Sequence, residues 1–358
     1  MESGFQNGRT AWRTAKQVWA IARTTVTEAI QQPIAFLLQL TAVLTALLVP
    51  VFQFHRFGED GRLARDSGLS CMLVFGLVLA AGTAGRSVAD EIARGTAATA
   101  IGKPVERVTF VISKWLGVFG VVVVFWCGML AATLTAERSS AHFVVQGQFA
   151  GYATDPLTLV LGLGGAVGAL VVAAAGHYFW HRRFGVVAFL GIALSQVAVL
   201  GLCGFYNRFG EFYPAHAEAA CACGEEHTAG VALFYHPEIN WRVISAAVLV
   251  LLALAVFSAL ATALATRLQT GAALAICALV LILGLAGDSF ALHASALSLR
   301  GVAAGLLPDA QHFWLCDALA HGGCVAWAYV ARAAVYALTC CAIFLIAGCV
   351  AFRERDLG

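Results

Sequence analysis

The sequence predicts an all-α polytopic bundle of about eight membrane-spanning helices, with an N-terminal interfacial helix and both termini in the cytoplasm. Three observations predict it. The chain is 60% hydrophobic and only 12% charged, where soluble domains carry about 25% charged residues; its mean hydropathy is +0.82. Its apolar runs recur at the length of ~20 residues that crosses a hydrocarbon core. Its basic residues also divide unevenly between the two sets of connecting loops.

The first element is an amphipathic segment, Trp12 to Gln32. Trp12, Val18, Trp19, Ile21, Ala22 and Val26 supply apolar area, while Arg13, Lys16, Arg23 and Glu28 supply a wet side. That pattern suits a helix lying in the membrane interface. The segment lacks the apolar core and small-residue site of a cleavable signal. Gln31-Gln32-Pro33 then turns the chain into the first span. Eight spans follow: Ile34–Phe52, Cys71–Val88, Val111–Thr133, Leu157–Tyr178, Val186–Phe205, Val243–Ala265, Gly271–Ala286 and Val325–Phe352. The seventh is the shortest. The expected division is a tail and interfacial helix over 1–33 and a transmembrane domain over 34–358, with a cytoplasmic segment 89–114 and outer loops 206–242 and 293–324.

Orientation follows from the excess of Lys and Arg in cytoplasmic loops. One face carries Arg9, Arg13, Lys16, Arg23, Arg86, Arg94, Lys103, Arg107, Lys114, Arg182, Arg183, Arg267, Arg353 and Arg355. The other carries Arg56, Arg62, Arg65, Arg138, Arg208, Arg242 and Arg300, and Arg332 lies inside the last span. Fourteen against seven puts the N-terminus in the cytoplasm, and an even number of spans puts the C-terminus there too. The formal net charge of +2 gives no nucleic-acid footprint, so no nucleic-acid partner is expected.

The most informative loop runs from Asp90 to Lys114. It reads Asp90-Glu91-Ile92-Ala93-Arg94-Gly95-Thr96, then Lys103-Pro104-Val105-Glu106-Arg107, with Lys114 beyond. Gly102 suits a helix end and Pro104 a helix start, so a short surface helix suited to contact with a partner is expected. A phosphate loop is excluded. Gly95 and Gly102 are separated by six residues where four are needed, and Pro104 stands where a Ser or Thr would hold Mg²⁺.

These residues resemble the membrane-spanning permease subunit of an ABC-2-type ATP-binding-cassette transporter. One matching stretch is Ala22-Arg23-Thr24-Thr25-Val26-Thr27-Glu28-Ala29, leading into the first span. A second is the loop with its acid, Gly-Thr, Pro-x-x-Arg and Lys: Glu91, Gly95-Thr96, Pro104, Arg107 and Lys114. A third is Leu307-Pro308-Asp309-Ala310-Gln311-His312-Phe313-Trp314 before the last span, with Phe352-Arg353-Glu354-Arg355-Asp356-Leu357 after it. Thr266-Arg267-Leu268 is a weaker fourth. The family commonly has six spans, so Leu157–Tyr178 and Val186–Phe205, joined by His181-Arg182-Arg183, read as an added hairpin.

The resemblance implies an exporter in the cell membrane, a bacterial inner membrane in this reading. It implies a separate ATPase subunit that uses the ATP, and a second permease copy or related permease completing the pathway. This chain would bind no cofactor and would not itself be an enzyme. Asp90, Glu91, Gly95, Thr96, Lys103, Pro104, Arg107 and Lys114 would couple it to the ATPase.

Remaining polar residues leave two other classes open. His216, Cys221, Cys223, His227 and His236 in one outer loop, with Cys316, His321 and Cys324 in another, offer Zn or Cu(I) ligands for a metal-handling protein. The Cys221-x-Cys223 spacing departs from the usual zinc pattern, and disulfides or free thiols are the expected state. No nucleophile elbow or metalloprotease motif appears, and an integral-membrane enzyme with an outer-interface site is the third class. Gln39, Ser195, Gln196, Asp288 and Arg332, in or just beyond spans, are expected to face protein, water or the interface. Gly164 and Gly168 offer the small-x-x-x-small spacing of close helix packing.

Overall fold

The computed structural model describes residues 2–52, 60–93, 107–146, 149–206, 208–210, 239–286, 308–319 and 323–353. Its helices are α1 (Glu2–Gln31), α2 (Pro33–Leu48), α3 (Asp60–Ala84), α4 (Asp90–Ala93), α5 (Arg107–Ser139), α6 (Pro156–Trp180), α7 (Phe184–Leu202), α8 (Val243–Ala265), α9 (Thr270–Leu285) and α10 (Trp327–Arg353). A π-helical turn, Gly85–Ala89, joins α3 to α4. Among the described residues, seven helices are long and apolar enough to cross a membrane, and α9, with 16 residues, is a shorter apolar helix. The fold is thus an all-α bundle in which the seventh expected span is a short, 16-residue helix.

Local chemistry sets the helix ends. Pro33 opens α2, where its missing N–H costs nothing. Asp155 caps α6 by accepting from the Thr158 N–H at 2.9 Å, with Pro156 at the first helical position. His181 closes α6 in the left-handed region at φ 51°, and the Arg182 N–H reaches back to the Gly176 carbonyl at 3.1 Å.

Helix α5 is the hub. It packs on α1, α2, α3, α6, α7, α8 and α10. Small residues bring its neighbours close. A Cβ on Gly128 would lie 2.5 Å from Gln39 Nε2 and 2.9 Å from Ala193 Cα, so α2 and α7 touch the α5 backbone there. Helix α8 is enclosed on most sides by α3, α5 and α10. The α6–α7 hairpin lies outside this core against α2 and α5, and leaves Val160, Val167, Val171, Val172 and Leu194 exposed.

Three features depart from the sequence reading. The chain after α5 forms an antiparallel hairpin, β1 (His142–Gln146) and β2 (Phe149–Ala153), pairing Gln146 with Phe149. The apolar side of α1 is divided. Ala22, Thr25, Ala29 and Ile30 are buried in the bundle, whereas Trp12 and Trp19 stay exposed. Residues 308–313 fold in beside the end of α9: Gln311 Nε2 donates to the Leu285 carbonyl at 2.8 Å, and the Asp309 N–H to Tyr336 Oη at 2.9 Å. Tyr336 lies nine residues into α10, about 13 Å from its start.

Candidate functional site

One end of the bundle gathers the described members of the expected coupling set. The π turn carries α3 into α4, which places Asp90 and Glu91 half-buried. Arg86 in that turn donates to Gln32 Oε1 at 2.7 Å, which ties it to the α1–α2 joint. Lys114 Nζ meets Glu91 Oε1 at 2.5 Å, with the lysine side chain only 4% exposed. Its ammonium also lies 5.6 Å from the centre of the Phe110 ring. The pair therefore fastens α4 to the first turns of α5 across the charged loop.

Arg107 does a different job. Its guanidinium donates to the carbonyls of Phe352 (3.3 Å) and Arg353 (2.7 Å), the last turn of α10. These carbonyls lie in the last described turn of α10, toward the negative end of the helix dipole. Phe110 stacks on Phe352 with ring centres 5.7 Å apart. One turn further along α5, Trp115 Nε1 donates to Ser258 Oγ of α8 at 3.0 Å. Gly117 then abuts Ala22 and Thr25 of α1. Glu91, Arg107 and Lys114 are thus engaged inside the chain. Gly95, Thr96, Lys103 and Pro104 lie outside the described residues, as does the expected surface helix.

No family model matches this chain, and no curated protein does.

The opposite end holds a buried network that the sequence reading treated only as outer-face charge. Arg138, 1% exposed, donates through Nε to Asp155 Oδ2 at 2.9 Å. Its other nitrogens donate to the Cys203 (2.5 Å) and Tyr206 (2.6 Å) carbonyls. Asp155 also accepts from Thr158 Oγ1 at 2.5 Å, and that hydroxyl lies 3.0 Å from Tyr206 Oη. One arginine so joins the end of α5, the start of α6 and the end of α7. Burial pushes the Tyr206 phenol above its ordinary pKa. Beside it, Glu137 Oε1 accepts from Asn240 at 2.9 Å and Arg65 at 3.5 Å, while Glu137 Oε2 is buried with no hydrogen-bond partner among the described residues. Arg208 reaches His142 Nδ1 at 3.1 Å and the Ser140 carbonyl at 3.2 Å, holding the β hairpin down. Asp155-Pro156 carries a helix-start signal that the sequence reading did not use, and nothing local marks Arg138 as its partner.

Within the bundle, Gln39 and Gln196 are fully buried, as expected of polar groups in spans. Gln196 Nε2 donates to the Gly162 carbonyl at 3.0 Å; Gln196 Oε1 and both polar atoms of Gln39 have no hydrogen-bond partner among the described residues. Ser195 bonds to its own helix, to the Ile192 carbonyl at 2.8 Å. Arg332 is exposed near the start of α10, 5.9 Å from the Tyr329 ring centre; Asp288 lies outside the described residues. A Cβ added at Gly164 or Gly168 would meet nothing within 4 Å among the described residues.

The outer cysteines resolve only in part. Cys316 is buried and Cys324 is exposed. Among the described residues no three His, Cys, Asp or Glu side chains converge as metal ligands. His216, Cys221, Cys223, His227, His236 and His321 lie outside them.

Proposed function

We propose that this chain is the membrane-spanning permease subunit of an ABC-2-type transporter, an exporter driven by a separate ATPase. Seven long apolar helices support a multi-pass membrane protein. The finer reading rests on one observation. Parts of the three stretches that carry the resemblance, far apart in sequence, meet at one end of the bundle: Ala22 and Thr25 against Gly117, Glu91 on Lys114, and Arg107 on Phe352 and Arg353, while Pro308 to Phe313 of the third stretch pack beside the far end of α9.

In this reading the loop between α4 and α5 receives the ATPase. Glu91–Lys114 ties α3 to α5, and Arg107 ties α5 to α10, so a displacement of that loop moves three long helices as a unit. ATP-driven closure of the partner then biases two arrangements of the bundle. A second copy of the chain completes the pathway in the cell membrane.

The test is affinity purification from native membranes followed by ATPase assay. A co-purifying nucleotide-hydrolysing subunit is expected. K103S/P104A should leave membrane insertion intact and reduce ATPase association. Glu91→Lys should destabilise the protein, and the added Lys114→Glu should restore it by re-forming the pair. Absence of an ATPase, or full association and coupled hydrolysis in K103S/P104A, rejects the proposal.

A further inference from the structure

The end of the bundle that holds α1 and the charged loop also carries the tip of the α6–α7 hairpin. Here Tyr178, Phe179 and Trp180 are 77%, 69% and 71% exposed. They sit edge to face, with ring centres 5.0 Å apart for Tyr178 and Phe179 and 6.1 Å for Phe179 and Trp180. His181, Arg182 and Arg183 follow, all exposed. The turn that presents them is fixed. His177 Nδ1 lies 2.9 Å from the Arg182 carbonyl, and the Arg182 N–H bonds back to Gly176. Phe184 meets Phe36 of α2 edge-on at 5.2 Å, and Gly185 lies against the Gln31 carbonyl.

We propose that this tip is a binding surface for anionic phospholipid headgroups. The inference rests on the membrane reading above and adds a ligand to it.

Two observations choose lipid over a protein partner. Successive helical residues advance by about 100°, so three consecutive exposed rings cover roughly 200° of the helix end. A docked protein covers one side, whereas a bilayer interface surrounds the helix, and aromatic side chains settle at headgroup level from every side. The charge is also one-sided. From Pro156 to Gly210 the sequence contains no Asp or Glu, so Arg182 and Arg183 have no acidic neighbour on their own hairpin. On α1, which packs against α7, Arg23 is exposed but so is Glu28, and that helix adds little net charge. Guanidinium forks pair in bidentate fashion with phosphate, and each basic side chain near an anionic surface strengthens attraction roughly fivefold.

The experiment places the purified chain in nanodiscs of mixed phosphatidylglycerol and phosphatidylcholine. Retained lipid is counted by native mass spectrometry after release into detergent. The wild type should retain phosphatidylglycerol in excess over its bulk share, and the excess should shrink as salt is raised. R182Q/R183Q should lower the excess by about five- to thirtyfold, with R182K/R183K keeping most of it. Y178A/F179A/W180A should reduce retention of both lipids. Wild-type retention indifferent to headgroup or to salt overturns the proposal, as does an unchanged excess in R182Q/R183Q. Loss of a co-purifying protein from R182Q/R183Q with the lipid excess intact also overturns it, in favour of a protein partner. Carbonate extraction of cell membranes tests the membrane reading by itself. A chain retained in the membrane yet indifferent to headgroup sinks only the lipid site.

Discussion

Arg138 shows how a full set of acceptors makes a buried charge tolerable. Its guanidinium meets one carboxylate and two carbonyls, and Asp155 meets two further donors from Thr158. Removing one partner strands the other's charge away from water, which costs about 3–5 kcal/mol, whereas apolar replacement of both is often near neutral. Arg138→Met should therefore lower unfolding stability by that amount, and R138M/D155L should recover much of it; thermal or denaturant unfolding in detergent measures both. Tyr206 adds a pH dependence. Its folded-state pKa is raised by burial, so its contribution is complete below the ordinary tyrosine value of about 10 and is lost as pH rises beyond it. Wild-type stability should fall above that pH, and Tyr206→Phe should flatten the fall. At the other end, Lys114 was legible as part of a charged loop, but its burial against Glu91 was not. That pairing joins residues on opposite sides of a loop, and spacing alone does not show which acid a lysine will meet.

Elements were more legible than residues wherever hydrophobicity alone defines them. The sixth expected span, Val243–Ala265, coincides with α8, and the seventh differs from α9 by one residue at each end. The β hairpin was missed. Its signal was present in the aromatic and β-branched run His142-Phe143-Val144-Val145, a two-residue Gly147-Gln148 link, and a second run from Phe149. The surface helix was legible as amphipathic, but its division was not, because periodicity cannot tell lipid from protein as the covering surface. Its docking depends on Gly117, where a Cβ would lie 2.6 Å from Thr25 Cβ and 2.9 Å from the Ala22 carbonyl. Gly117→Leu should pry α1 from α5 at a cost of about 1–3 kcal/mol, read as faster proteolysis at Arg23. Gly120→Ala is the mild comparison, since its nearest neighbour is a Val26 methyl at 3.3 Å.

At the scale of the molecule, the charge division that predicted orientation has a geometric counterpart. Arg65, Arg138 and Arg208 join the network at one end, while Arg86, Arg107, Lys114 and Arg353 lie at the other. Cysteine labelling of intact cells checks this in a background without exposed native cysteines. Thr14→Cys and Arg183→Cys should be modified only after permeabilisation, and Thr154→Cys without it. Arg183→Cys labelled alongside Thr154→Cys would reject the orientation of the α6–α7 hairpin.

The shortness of α9 has a consequence for the surrounding solvent. Its 16 residues rise about 24 Å, while the 25 residues of α6 rise about 38 Å. A hydrocarbon slab of ~30 Å fits neither flank. In the proposed membrane setting, and taking the described residues alone, the slab would thin beside α9, where Asp309 and His312 pair at 2.8 Å, and would swell or let α6 tilt on the other side. The protein then wears a collar of uneven height. Each ångström of mismatch costs a fraction of a kcal/mol, so acyl-chain length becomes a lever on the equilibrium of the bundle. Any rearrangement that lengthens the wall formed by α9 and residues 308–313 should be favoured in thick membranes and opposed in thin ones.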